Sequence, residues 1–183
     1  MTLRWKEPSG ANAMPGQKLQ ESHLEFDFTQ SVDAIRYEDT TTSLPVRKVD
    51  FLVDWPNEVW LIEVKNVVKP SISRSHPDVV KFIDKFNNTS LFYQDLGPKL
   101  RDTFYVFYLH DTVPRKPLRY YALIETGLPT SRLATRQQHL KKACLETPPT
   151  GGSWPSPIVQ GVALFDVASW NFFLPQCPVR FLP

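Results

Sequence analysis

An Asp followed thirteen positions later by Glu-Val-Lys is where residue types and spacing in this sequence could do chemistry. Two β-rich runs, Val46 to Asp54 and Val59 to Lys65, flank the segment Trp55-Pro56-Asn57-Glu58, which is the pattern of a hairpin. If Pro56 and Asn57 form a two-residue turn, Asp54 faces Val59, and counting back places Asp50 opposite Glu63. A four-residue loop from Trp55 to Glu58 gives the same pairing. Side chains alternate along a strand, so Asp50, Leu52 and Asp54 share one face, and Val59, Leu61, Glu63 and Lys65 share one face of the second strand. Cross-strand partners lie about 4.5–5.5 Å apart at Cβ, a separation at which like charges repel.

Burying such a carboxylate pair is costly unless a cation compensates it. Mg²⁺ suits the task, because it takes one or two carboxylates together with waters and phosphate oxygens. The ion could activate a water and offset charge on a phosphate, while the Lys65 ammonium holds or polarises the nucleophile. The competing reading is a polar stripe on an exposed strand, with Glu63 and Lys65 present for solubility. Against it, Val59-Trp60-Leu61-Ile62 is apolar on both faces up to Glu63, as in a strand buried within a sheet.

The rest of the chain must position this hairpin. Residues 1–16, with Pro8, Gly10 and Pro15, read as an irregular arm, and 17–183 as a single domain. A short helix is expected from Gln17 to Glu25, then an extended stretch from Phe26 to Tyr37 and a polar turn at Glu38-Asp39-Thr40. After the hairpin, Val79, Val80, Phe82, Ile83 and Phe86 predict a helix from Pro77 to Asn87. A second helical region from Thr89 should be interrupted at Gly97-Pro98, with Pro98 in the first turn of a new helix. A strand over Leu118 to Glu125, a helix from Ser131 to Leu145, a strand over Ile158 to Phe165 and a short helix capped by Asp166 complete an α/β fold. Its mixed central sheet is flanked by helices.

Composition bounds the possibilities. The 183 residues are 42% hydrophobic, and the net charge is only +2, so a nucleic-acid binder would need its cations gathered on one face. No apolar run reaches the roughly 18 residues that span a bilayer, and the expectation is a cytoplasmic protein without membrane contact. Cys144 and Cys177 lack metal-ligand spacing and read as core residues. His23, His76, His110 and His139 are scattered. No Gly-rich phosphate loop is present. Arg132, Arg136, Lys141 and Lys142 recur on one helix face, either a phosphate-contacting surface or an ordinary solvated one.

The stretch Val49-Asp50-Phe51-Leu52-Val53-Asp54 … Leu61-Ile62-Glu63-Val64-Lys65-Asn66 closely resembles the core of the PD-(D/E)xK nuclease superfamily, although Val49 stands where the motif's name has proline. The resemblance implies a restriction-endonuclease-like αβββαβ core and a metal-dependent endonuclease hydrolysing phosphodiester bonds of DNA, with RNA left open. It implies Mg²⁺ or Mn²⁺ held by Asp50, Glu63 and the Val64 carbonyl, and Lys65 assisting the attacking water. Asp54 competes with Asp50 for the first acid, though its register sets it across from Val59. Many members add an acid from the first helix, for which Glu21 and Glu25 are candidates, and Lys99, Arg101 and Asp102 stand where relatives often touch substrate. Such small nucleases often work with a partner subunit or as a homodimer. The alternative is a non-catalytic nuclease-like module that binds nucleic acid or a partner protein.

Overall fold

The computed structural model describes residues 17–40, 45–67, 73–146 and 157–183. The arm expected over residues 1–16 lies outside them, as does most of the Pro-, Gly- and Ser-rich stretch 147–157.

Gln17 to Glu25 does not form the expected helix. Lys18–Glu21 (β1) and Leu24–Asp27 (β2) pair antiparallel, with Glu21 opposite Leu24 and Ser22 at φ 58° closing a tight turn. The deciding pattern is Leu24, Phe26 and Phe28, all fully buried and recurring every second residue. That period of two outweighs the helical spacing of Leu19 and His23, because it sends three large side chains into one core.

A mixed five-stranded sheet follows, in the order β3 (Asp33–Arg36), β4 (Phe51–Asp54), β5 (Val59–Asn66), β6 (Leu118–Glu125) and β7 (Gly161–Phe165). The first three strands form an antiparallel meander, and β5, β6 and β7 run parallel. Phe51 faces Ile62, Leu52 faces Leu61 and Asp54 faces Val59, the register that the hairpin count predicts. A C-terminal strand, β8 (Val179–Phe181), pairs with β2 to complete a separate three-stranded sheet.

Alternation divides the core in two. Leu52, Leu61, Tyr120, Ala122 and Leu164 point to one face of the central sheet, where Leu96, Leu100, Phe107, Leu133 and Leu140 from the helices cover them. Phe51, Val53, Trp60, Ile62 and Leu123 point to the other, packing on Phe26 and Val179 of the small sheet, on Phe28 just beyond β2 and on Trp170. The Trp170 ring stands edge-on to Phe26, Trp60 and Phe165, and its indole N–H donates to the Cys177 carbonyl at 2.7 Å. Each such fully buried side chain contributes about 1.5–3 kcal/mol. Cys144 and Cys177 are free thiols buried in separate halves of this core, as their isolated positions suggested.

Four α-helices are described: α1 (Pro77–Asn87), α2 (Gly97–Leu109), α3 (Thr130–Ala143) and α4 (Val167–Phe173). Asp166 caps α4 through a reciprocal bond with Ser169, as its position promised. The expected interruption before Pro98 is absent. A π-helical turn, Phe92–Leu96, runs directly into α2, with the Gly97 N–H bonded to the Phe92 carbonyl five residues back. Pro98 has no N–H to give to the carbonyl of Gln94, and that oxygen instead accepts from the Arg47 guanidinium at 2.7 Å. Gly97 also lets two helices meet: a Cβ there would stand 2.6 Å from the Ala143 carbonyl oxygen. Among the described residues no helix is long and apolar enough to cross a membrane.

Candidate functional site

The β4–β5 ladder carries Asp50 to the mouth of the hairpin. With Phe51 opposite Ile62, the position just before β4 runs out beside Glu63, and the Tyr37 N–H fixes the Asp50 carbonyl from the β3 side at 2.8 Å. Two side chains of α2 secure the approach to that position. Asp102 accepts from the Arg47 N–H at 3.1 Å and Thr103 from the Val49 N–H at 3.1 Å. Asp50 is 3% exposed and Glu63 fully buried. Asp50 Oδ2 accepts the Val64 N–H at 2.6 Å, so this edge of β5 turns its backbone polar groups toward the carboxylate. N–H and C=O of one strand residue point the same way, which directs the Val64 carbonyl to the same side.

Two ammonium groups meet the acids. Lys65 Nζ lies 2.8 Å from Glu63 Oε1 and 3.7 Å from Asp95 Oδ2. Lys99 Nζ, from the first turn of α2, lies 2.6 Å from Glu63 Oε1 and 3.2 Å from Asp50 Oδ1, bridging the pair. The cation that the buried acids require is therefore supplied here by Lys99. Burial pushes the Glu63 carboxyl up to about 7, with the Asp50 charge adding to the shift and the two lysines opposing it. Burial raises Asp50 too, against Lys99 and the Val64 N–H. Burial alone would depress the Lys99 ammonium, but the charges of Glu63 and Asp50 more than reverse this and hold it above its ordinary value. Glu63 Oε1 meets both lysines, whereas Oε2 is buried without a hydrogen bond from a described residue.

Further carboxylates approach from the β1 and β3 side. Arg36 Nη2 bridges Glu21 Oε2 at 2.8 Å and Glu38 Oε1 at 2.7 Å. Glu21 is raised by burial and then by the charges of Asp50 and Glu38. Burial also pushes Glu38 up, but hydrogen bonding with Arg36, Asp50 and Glu21 outweighs this and leaves it below its usual range. Of the two candidate acids, Glu21 thus stands beside Asp50, on a strand rather than a helix. Glu25 instead pairs with Arg180 at 2.7 Å. Asp54 is likewise committed elsewhere: its buried carboxylate holds Lys116 at 2.5 Å at the far end of β4. The sequence reading missed Glu38, which it placed in a turn, and the bridging role of Lys99.

Arg47, Lys85, Ser90, Leu91, Gln94 and Asp95 line an open cleft of about 410 Å³. Asp95 joins it to Lys65, and so to the acids. Arg132 and Arg136 on α3 form no ion pair with a described residue, and Lys141 pairs with Glu146 at 3.1 Å. None of the four α3 cations is brought to Asp50 or Glu63.

No family model matches this sequence, no curated protein matches it, and no solved structure matches its fold. Among the described residues no three His, Cys, Asp or Glu side chains are arranged as a metal-holding group. The smaller donor set of two carboxylates and a backbone carbonyl is nevertheless one that Mg²⁺ accepts when water and phosphate complete its shell. The buried Glu63 Oε2, without a hydrogen bond from a described residue, fits that requirement.

Proposed function

We propose that the chain is a metal-dependent nuclease hydrolysing phosphodiester bonds of DNA, with its active centre at Asp50, Glu63 and Lys65. The observation that carries this reading is the buried convergence of Asp50 and Glu63, with Glu63 Oε2 left without a hydrogen bond and Lys65 against Oε1. Structural ion pairs normally have their remaining lone pairs satisfied, so an orphaned carboxylate oxygen suits a site awaiting a ligand. The meander β3–β4–β5 followed by parallel β6 further supports a nuclease-like core, although a β-hairpin replaces its leading helix.

Asp50, Glu63 and the Val64 carbonyl would hold Mg²⁺ or Mn²⁺, which supplies positive charge to polarise a water and a phosphoryl oxygen. Lys65, 23% exposed at its side chain, would hold the attacking water in line through its ammonium, and the water's proton would leave to solvent. Water oxygen bonds to phosphorus, one phosphorus–oxygen ester bond breaks, and the departing oxygen gains a proton. The exposed rings of Phe172 and Phe173, 4.9 Å apart on α4, suit a partner subunit or second copy.

The Lys99 bridge favours a second reading, a non-catalytic module whose acids are neutralised for good by their own lysines. Cleavage of DNA with Mn²⁺ by the full chain, compared with Glu63→Ala and Lys65→Ala, separates the two. The nuclease reading expects both variants to be inactive with an unchanged circular dichroism spectrum. Undiminished cleavage in either variant removes Asp50, Glu63 and Lys65 as the site.

A further inference from the structure

We propose that Lys99 is the resident occupant of the metal position: its ammonium gives way when a divalent cation enters and then contacts the substrate phosphate. This rests on the nuclease reading above and adds a residue that the Glu-Val-Lys motif does not contain.

The geometry sets the two lysines apart. Lys65 touches Glu63 and Asp95 and leaves Asp50 untouched. Lys99 alone spans both acids, at 2.6 and 3.2 Å, so it lies across the oxygens that would ligate a cation. An ammonium hydrogen-bonded to a carboxylate oxygen and a divalent ion bound to the same oxygen cannot be neighbours without strong repulsion in a buried setting. One must yield. The ammonium is the mobile one, carried on four methylenes from the first turn of α2 and 15% exposed at its side chain.

Nearby anions do not offer it another seat. Arg36 engages Glu21 and Glu38 at 2.8 and 2.7 Å and Asp39 at 3.1 Å, and Lys65 engages Asp95. A displaced Lys99 therefore needs a new negative group, and a phosphodiester arriving at the metal provides one. Metal and nucleic acid should consequently bind with positive coupling, each raising the affinity of the other by the same factor.

Calorimetric titration of Mn²⁺ into the full-length wild type, Lys99→Gln, Lys99→Arg and Glu63→Gln tests this, with and without a phosphorothioate-backbone oligonucleotide. Lys99→Gln should bind Mn²⁺ alone roughly tenfold tighter or more, because the competing charge is gone. Lys99→Arg should resemble the wild type. The oligonucleotide should tighten Mn²⁺ binding in the wild type by a clearly larger factor than in Lys99→Gln. Equal Mn²⁺ affinity in wild type and Lys99→Gln, with binding abolished in Glu63→Gln, overturns the displacement and leaves the metal site standing. Weaker binding in Lys99→Gln overturns it as well and makes Lys99 a support for the acids. Absence of Mn²⁺ binding in every protein removes the displacement and the metal reading together. Should Lys99→Gln misfold, a wild-type crystal soaked in Mn²⁺ decides. Anomalous density at Glu63 with Lys99 Nζ beyond hydrogen-bond reach supports the proposal, and Lys99 still bridging both acids beside that density ends it.

Discussion

Glu63 concentrates the electrostatic tension of this fold in one side chain. It is held near 7 in the folded chain against an ordinary 4.5, mainly by burial. Between those values the folded chain binds more protons than the unfolded one, so this group makes stability fall as pH rises across the window. Its contribution is fully present below 4.5 and is gone above 7. In the metal-free protein it should amount to a loss on the order of 3 kcal/mol between about pH 4 and pH 8. Glu63→Gln should flatten that part of the profile in urea denaturation, and a wild-type slope in the variant would assign the pH dependence to other groups. Apparent Mn²⁺ affinity should run the other way and rise with pH up to about 7, since the ion competes with the Glu63 proton. Asp50, Glu63 and Lys65 were legible in sequence because a period of two and a hairpin count fix which residues share a face. The bridge made by Lys99 and the approach of Glu38 were not, because they depend on how α2 docks and on the path of the chain after β3, which local spacing does not encode. The Lys99–Asp50 hydrogen bond spans 49 positions.

At the scale of elements, the close approach of α2 to α3 aims Lys99 at the acids. Gly97→Ala should destabilise by about 1–3 kcal/mol, since the added Cβ meets backbone rather than a yielding side chain. An unchanged urea midpoint would show that the helices part at no cost. The far end of β4 offers a contrast. Lys116→Met should cost about 3–5 kcal/mol by leaving the buried Asp54 carboxylate without its cation, and Asp54→Leu combined with Lys116→Met should recover most of that loss. The two acids of β4 and its approach were indistinguishable by type, and only the hairpin register separated them. The N-terminal segment was misread for the opposite reason. Leu19, His23 and Leu24 suit a helix, while Leu24, Phe26 and Phe28 suit a strand, and the side burying more aromatic surface prevailed.

For the molecule as a whole, the cations that matter for nucleic acid should be those nearest the acids. The cleft holding Arg47 and Lys85 adjoins Lys65 through Asp95, whereas Arg132 and Arg136 lie on α3 and are not brought to the acids. Neutralising Arg47 and Lys85 together should reduce the log–log salt slope of DNA binding by roughly two, one for each phosphate that no longer meets a cation. Neutralising Arg132 and Arg136 should leave the slope alone. Fluorescence anisotropy over a salt series reads both, and a reversed pattern would move the nucleic-acid path onto α3.

The π-helical turn before α2 has a consequence for how this protein tolerates change. One extra residue in a helical turn rotates everything after it by about 100°. The face that α2 presents to the sheet, Lys99 included, thus depends on the count of residues between Phe92 and Gly97 as well as on the buried Phe92 and Leu96. Substitutions at the exposed Tyr93 and Gln94 would pass with little effect. Deleting a single residue would restore an ordinary helix and swing Lys99 off the acids while leaving every strand intact, turning one frame of the same fold into another with an empty bridge.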